Sequence, residues 1–367
     1  MRVAFISPQN HKCGISIYGA RYAQELKKLP LEIETADPEK VLADPAGFKN
    51  SLEKFDIIHV QYEPSFFMKK KNDLFTDVFS KHATPIVLTL HEIYDKNPFV
   101  FPRENIRPPF VTVKKKIYDI RHPFQTMYRK HLKTQFLGAE RILVHHYYHK
   151  KILKVKGISD FRIRVIGHPV ASISSMEIIR EKSPNAPVQL GGAGFINPQY
   201  DFDLLFRSLE QLSFDWQFTW VGGGRTDDRR ELLLHLQNRV KEKNWEGKFR
   251  FTGWLEDSEF RAALRKLDLA LCLFTSRSSS GSISDLLGSG IPVVSTDLPM
   301  TREIARDCSS VMIVKNDPFS VSETLENVCE EPGRIKALLK ETARYCEKNS
   351  YEKKACELLN VYREVLS

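Results

Sequence analysis

The feature that most constrains the fold is a repeated alternation along the chain. Short apolar runs of strand length alternate with longer segments whose apolar residues recur every three or four positions. Runs of the first kind suit strands buried on both faces, and segments of the second suit helices that cover them. A strand followed by a helix and another strand closes most readily as a right-handed crossover between parallel neighbours. In the first half the predicted strands are residues 3–6, 31–35, 56–60, 86–90, 141–144 and 164–166. Helical segments lie between most of them, notably 16–28, with Arg21, Gln24 and Lys27 on its polar face.

Residues 168–187, bearing Pro169, Pro184, Pro187 and several serines, break this rhythm and are expected to form a linker. A new strand begins at Val188 and runs into Gly191-Gly192-Ala193-Gly194. The alternation then resumes through 217–221, 227–243, 249–252, 257–266, 269–273, 282–288, 292–295 and 311–314. The tail, 351–366, is an amphipathic helix that needs a surface to dock on. The expected fold class is therefore α/β, with two Rossmann-like parallel-sheet domains in tandem. They comprise residues 1–172, joined by the final helix 350–367, and residues 186–349.

Composition narrows the setting. With 42% hydrophobic and 28% charged residues among 367, the chain has the make-up of a globular protein. No apolar run approaches the roughly 20 residues of a membrane-spanning helix, and the opening residues read as a strand rather than a signal peptide. A cytoplasmic location is the expectation. The six cysteines show no CxxC spacing, so neither a zinc site nor a disulfide framework is supported. A formal charge of +9 favours an acidic partner: nucleic acid, anionic lipid or a phosphorylated substrate.

In open parallel sheets ligands bind beyond the carboxyl ends of strands. Four such places carry suggestive residues. After the first strand, Gly14 opens a helix; it either lets the backbone approach a phosphate or is an ordinary turn glycine, and the surrounding sequence lacks GxGxxG. The strand 86–90 ends in His91-Glu92, an imidazole and a carboxylate whose role is functional or structural. Gly222-Gly223-Gly224-Arg225 follows another strand; Gly223 exposes its N–H and Arg225 offers a cation to a diphosphate, unless the stretch is a flexible turn. The most informative is Phe274 to Val294, in which Arg277, Ser279, Ser280, Gly281 and Ser282 form a hydroxyl-rich turn before a short helix carrying Asp285, unless the turn is only a flexible serine-rich loop. Such a turn suits phosphate oxygens, and Asp285 suits ribose hydroxyls.

Two signals point elsewhere. Asp201-Phe202-Asp203 has the DxD spacing of metal-assisted sugar transfer, yet it opens a predicted helix, where Asp is favoured as a cap. His145, His146 and His149 cluster without a carboxylate or cysteine to complete a metal set. No metal is expected.

The sequence resembles the GT-B glycosyltransferases, in particular the retaining group called family 4 or glycosyl transferases group 1. Thr89-Leu90-His91-Glu92 resembles that family's TxH(D/E). Val221 to Gly224 resembles its VGxG, Phe251-Thr252-Gly253-Trp254-Leu255 its FxGx(V/L), and Leu286 to Val294 its AxxxGxPVV. The final helix resembles one that crosses back onto the N-terminal domain. The departures lie at the donor site. The family's paired acids fall on Arg277 and Asp285, so the first has become a cation, and the Arg and Lys that usually grip the diphosphate fall on Phe195 and Tyr200.

The resemblance implies two domains facing across a cleft that holds a nucleotide-diphosphate sugar. Transfer to an acceptor hydroxyl would proceed with retention and without cofactor or metal. Arg277 and His91 are then the candidate catalytic residues, and Gly14, Gly223, Arg225, Ser279, Ser280, Gly281, Ser282 and Asp285 the candidate donor-binding set. The acceptor would be a glycan or lipid-linked. Residues 97–133 mix aromatics with lysines and arginines and suit either an anionic membrane surface or a packed insertion. Nucleic acid is not expected as a partner, since no basic motif interleaved with aromatics of the RRM type is present. The alternatives are a noncatalytic subunit of a transferase and a sugar-nucleotide epimerase.

Overall fold

In the computed structural model the described residues are 1–9, 13–69, 72–79, 82–93, 131–132, 135–171, 186–224, 227–331 and 333–367. Residues 97–130, 133 and Arg225 thus lie outside them, as does most of the expected linker. The chain divides into two compact units, Met1–Gly167 with Tyr351–Ser367, and His168–Ser350.

Unit 1 is built on strands β1 (Arg2–Ile6), β2 (Glu32–Ala36), β3 (Ile57–Tyr62), β6 (Ile86–Leu90), β7 (Arg141–Val144) and β8 (Ile163–Val165), in the order β2-β1-β3-β6-β7-β8. A short hairpin, β4 (Met68–Lys69) and β5 (Asn72–Asp73), stands apart from this sheet. All pairings in the six-stranded sheet are parallel, and the register sets Ile6 beside Ala36 and Val60, Tyr62 beside Leu90, and Leu90 beside Val144. The carboxyl ends of the central strands therefore share one edge.

Strand side chains alternate between faces. One face carries Ala4, Ile6, Ile58, Val60, Leu88, Leu90, Ile142 and Val144 into one core. The other carries Val3, Phe5, Ile57, Val87 and Leu143, against which pack Tyr18, Tyr22 and Leu26 of helix Gly14–Leu26. The final helix, Tyr351–Leu366, buries Tyr351, Ala355, Leu358, Val361 and Tyr362 in that same core, at the three- and four-residue spacing of one helix face. Towards the carboxyl edge this second face turns polar: Ile57 is followed two residues on by His59 and then Gln61, Val87 by Thr89 and then His91, and Leu143 by His145. All five polar residues are buried.

Unit 2 is a second parallel sheet, from β9 (Val188–Ala193), β10 (Trp216–Val221), β11 (Phe249–Phe251), β12 (Leu269–Cys272), β13 (Val293–Thr296) and β14 (Val311–Val314), in the order β11-β10-β9-β12-β13-β14. The strand order reverses between β9 and β12, the place where doubly wound sheets open a crevice. The core glycines Gly191 and Gly192 belong to β9 itself. A Cβ on Gly191 would lie 2.6 Å from Leu267, and one on Gly192 would lie 2.7 Å from the Trp220 ring, so their absent side chains let both neighbours close onto the strand.

Candidate functional site

In unit 2 three loops leave the carboxyl edge of the sheet and are packed backbone to backbone. Gly194, just past β9, has φ +102°, and Gly222, just past β10, has φ +136°, a region that favours glycine. A Cβ on Gly222 would lie 2.1 Å from the Gly194 carbonyl oxygen, which accepts a hydrogen bond from Trp220 Nε1 at 3.0 Å. Gly223 rests against Gly253 in the same way, its Cβ position 3.2 Å from the Gly253 Cα. The Gly222 N–H donates to Thr252 Oγ1 at 3.0 Å. Beyond Gly253, Trp254 stacks on Phe195 with ring centroids 5.6 Å apart, leaving the tryptophan 40% exposed at this edge.

The loop that follows β12 is stitched to the loop that follows β9. Thr275 N–H donates to the Gln199 carbonyl at 2.8 Å, and Arg277 Nη1 donates to Gln199 Oε1 at 3.1 Å. The Arg277 guanidinium, 5.7 Å from the Phe274 ring centroid, is thus held half-buried at the strand reversal. Ser280 caps the short helix Gly281–Leu287: its Oγ accepts from Ile283 N–H and lies 2.9 Å from Ser282 Oγ. Ser279 and Ser280 are buried, whereas Gly281 is exposed and Ser282 and Asp285 are half-buried. Ser282 stands over Gly194, its Cβ 3.4 Å from where a glycine Cβ would be. Asp285 lies three residues after Ser282, on the same side of the helix.

Of the residues singled out from sequence, the fold therefore brings Gly223, Arg277, Ser279, Ser280, Gly281, Ser282 and Asp285 to one edge of one sheet. Gly194 and the Phe195–Trp254 pair join them, although the sequence motifs gave no sign of the pair. Tyr200, which stands where the resemblance places a lysine, belongs to the core. It is buried among Phe202, Trp220 and Phe274, and its hydroxyl donates to the Leu271 carbonyl at 3.0 Å. Asp201 and Asp203 are both engaged. Asp201 Oδ1 accepts from Leu204 N–H at 2.9 Å as the cap of helix Phe202–Leu209, and Asp203 pairs with Arg239.

In unit 1 four of the buried polar residues of the carboxyl edge, His59, Gln61, Thr89 and His91, form one hydrogen-bonded set with Tyr362. Tyr362 Oη lies 2.5 Å from His59 Nδ1, and Thr89 Oγ1 2.7 Å from His59 Nε2. The Gln61 amide bridges onward, with Nε2 3.2 Å from His59 Nε2 and Oε1 2.9 Å from His91 Nε2. Burial drives the His59 pKa down to about 3, so this imidazole is neutral at physiological pH. Tyr18 meets the His91 ring edge-on at 4.8 Å, and the His145 ring lies 5.4 Å from it. A small cavity lined by Tyr18, Tyr22, His59, Gln61, Thr89 and His145 adjoins the set. Gly14 opens the helix that carries Tyr18; it is exposed, and a Cβ there would meet nothing within 4 Å. His145 Nδ1 lies 3.1 Å from the Ile166 carbonyl and His149 Nε2 2.8 Å from Tyr148 Oη. Among the described residues no three His, Cys, Asp or Glu side chains gather as a metal set.

Residues 189–331, most of unit 2, match the family model of the glycosyl transferases group 1. Among solved structures, HepE of Anabaena in complex with UDP-glucose is similar with a TM-score of 0.70 at 12% identity, over 98% of this chain and 100% of that one. Sucrose-phosphate synthase from Thermosynechococcus elongatus gives 0.75 at 11%, over 100% and 99%. The lipopolysaccharide outer core galactosyltransferase WaaB, in its apo form, gives 0.56 at 14%, over 96% and 98%. No curated protein matches the sequence. At such identities the structural likeness speaks for the fold, and it is the fold the resemblance implied. The fold is the one these glycosyltransferases share, and within it residues 189–331 match the glycosyl transferases group 1. The motifs at 221–224, 251–255 and 286–294 all fall inside the matched span.

Proposed function

We propose that the chain moves a sugar from a nucleotide-diphosphate donor to an acceptor hydroxyl, with retention and without a metal ion. One observation carries this reading: Gly194, Gly222 and Gly223, Ser282 and Arg277 converge where the strand order of unit 2 reverses. Gly194, Gly222 and Gly223 let the loops close on one another, Ser282 offers a hydroxyl and Arg277 a fixed cation, groups suited to a diphosphate. Asp285 holds the ribose hydroxyls. HepE, similar in fold, was solved with UDP-glucose, which makes a uridine diphosphate sugar the first donor to try.

In the proposed reaction the acceptor oxygen attacks the anomeric carbon on the face from which the nucleoside diphosphate departs, and the departing phosphate takes the acceptor proton. The protein's share is orientation and stabilisation of the charge that develops on the diphosphate, in which Arg277 is the principal cation. His91 and Gly14 face the sugar and acceptor. Metal independence is supported by the engagement of Asp201 in a helix cap and of Asp203 with Arg239. WaaB, similar in fold, is a lipopolysaccharide outer core galactosyltransferase, which supports a glycan or lipid-linked acceptor; we place that acceptor at the inner face of a membrane. No helix among the described residues is long and apolar enough to cross a membrane.

A noncatalytic subunit is the second reading, favoured by the absorption of Tyr200 into the core. Thermal unfolding with UDP-, GDP-, ADP- and dTDP-glucose in the presence of EDTA separates the two. A concentration-dependent stabilisation by one nucleotide family, weakened in Asp285→Ala, is the expected result. No shift with any donor favours the noncatalytic reading.

A further inference from the structure

The segment of unit 1 between β7 and β8 exposes apolar side chains within a basic stretch. It holds a helix, Tyr147–Val155, and one 3₁₀ turn, Asp160–Arg162. The helix buries His149 and Leu153, four residues apart on the face turned to the core. Its opposite face presents Tyr147, Lys151 and Val155, again four residues apart, with Lys154 beside them. A surface helix ordinarily keeps that face polar. Here Val155 is 88% exposed and Tyr147 67%, and Phe161 of the following turn is 61% exposed. These are three of the seven large apolar side chains exposed among the described residues, and they fall in one short segment.

The turn is fastened to the helix. Asp160 pairs with Lys150 at 3.2 Å and with Lys154 at 2.9 Å, and Arg164 Nη1 donates to the Phe161 carbonyl at 2.8 Å. Phe161 is thereby held close to the helix end that carries Val155. Residues 147–162 contain five basic side chains, Lys150, Lys151, Lys154, Lys156 and Arg162, against the single acid Asp160. That surplus of +4 stands in a chain of formal charge +9. Water gains nothing from the apolar members of such a patch, and a phosphate polymer would answer only its charge. An anionic bilayer answers both, with headgroup phosphates for the ammonium groups and an acyl boundary for the apolar side chains.

We propose that this face docks on an anionic lipid bilayer. Tyr147, Val155 and Phe161 enter the headgroup boundary, and Lys151, Lys154 and Lys156 meet lipid phosphates while their stems lie along the apolar layer. The proposal goes beyond sugar transfer and concerns a different segment from residues 97–133.

The test is flotation of the full chain with vesicles of phosphatidylcholine alone and of equal parts phosphatidylcholine and phosphatidylglycerol, with no nucleotide or sugar added. The chain should float with the mixed vesicles, far less with phosphatidylcholine alone, and less again in high salt. Lys151→Ala with Lys156→Ala should weaken partition about 25-fold, about fivefold for each lysine. Val155→Ser with Phe161→Ser should weaken it about tenfold or more, whereas Phe161→Trp should retain it, because tryptophan suits the interface. All four side chains are exposed, so unfolding midpoints should match wild type and a loss of binding is not a loss of fold. Failure to float with the mixed vesicles overturns the proposal and leaves an acidic protein as the occupant of this face. Undiminished flotation of both double variants overturns it and moves the membrane contact to another segment. A loss confined to the lysine variant overturns the insertion of the apolar side chains. Each of these results leaves the donor-site reading to its own test.

Discussion

Acidification should act on this fold through His59. Its imidazole is buried, and burial lowers its pKa from 6.5 to about 3. Its folded value lies below its unfolded one, so the unfolded chain binds the extra proton first as pH falls. The stabilisation from keeping His59 neutral is complete above about pH 6.5 and is lost progressively down to about pH 3. Each pH unit in that window costs about 1.4 kcal/mol. Between pH 7.5 and 5 the loss amounts to about 2 kcal/mol, and at pH 3 it approaches about 5 kcal/mol. His59→Gln removes the titration. It should be less stable than wild type at pH 7.5, because Tyr362 and Thr89 lose a buried partner, yet flatter in its response to acid. The assay is urea unfolding at 25 °C, followed by far-UV circular dichroism at pH 7.5, 6 and 5. Other titrating groups are common to both proteins, so the quantity of interest is the difference between the two slopes. All four tryptophans, Trp216, Trp220, Trp245 and Trp254, lie in unit 2, so their fluorescence reports that unit separately. Equal acid sensitivity of wild type and His59→Gln would refute the claim that the imidazole is held neutral in the fold.

Three other substitutions probe unit 2. Gly222→Ala combines a positive φ with a Cβ 2.1 Å from a carbonyl oxygen and should cost about 3 kcal/mol or more, read as a lower tryptophan-monitored midpoint. Tyr200→Phe keeps the ring but leaves the Leu271 carbonyl without its donor; a loss of about 1–2 kcal/mol in the same assay, with little change in nucleotide affinity, is expected. Arg277→Ala should leave the unfolding midpoint nearly unchanged while weakening UDP binding about 10- to 100-fold by calorimetry, the range for a charge-assisted hydrogen bond. Unaltered affinity would remove Arg277 from the donor site.

Much of the fold was legible because the hydrophobic pattern is local. The strands 86–90, 141–144 and 311–314 and the tail helix 351–366 coincide with their observed bounds. The helices Pro299–Asp307, Pro318–Glu330 and Arg334–Lys348 went unassigned, although proline in the first turn of two of them and the Asp317 cap were visible signals. At the site the turn around Ser280 could be found because hydroxyls and glycine concentrate there. The role of Gly194 was hidden, since it depends on a positive φ and on the approach of Gly222 and Ser282 from other parts of the chain. His59, Gln61 and Tyr362 were invisible for the same reason. In sequence His59 and Gln61 interrupt an apolar run and Tyr362 completes a helix face, and only the register of β3 against β6 and the docking of the last helix bring them to His91.

The departures at the donor site become coherent once charge is counted. The resemblance implies two cations on the loop after β9 and two acids around the turn after β12, a balanced set. Here the first loop has lost both cations: Phe195 stacks on Trp254, and Tyr200 is buried with its hydroxyl on a core carbonyl. A lysine at 200 would have to bury its ammonium in that aromatic cluster, which desolvation opposes. The second loop has in turn exchanged its first acid for Arg277 while keeping Asp285. The balance is preserved with one cation and one acid, but the positive end has crossed from β9 to β12. If unit 2 binds a diphosphate as proposed, the cation it needs can come from either loop, and Gln199 ties Arg277 to the loop after β9. On the proposed donor site, Arg277 takes the place of the cations lost at 195 and 200, and Arg277→Ala tests that reading: UDP affinity unchanged by it would refute the compensation.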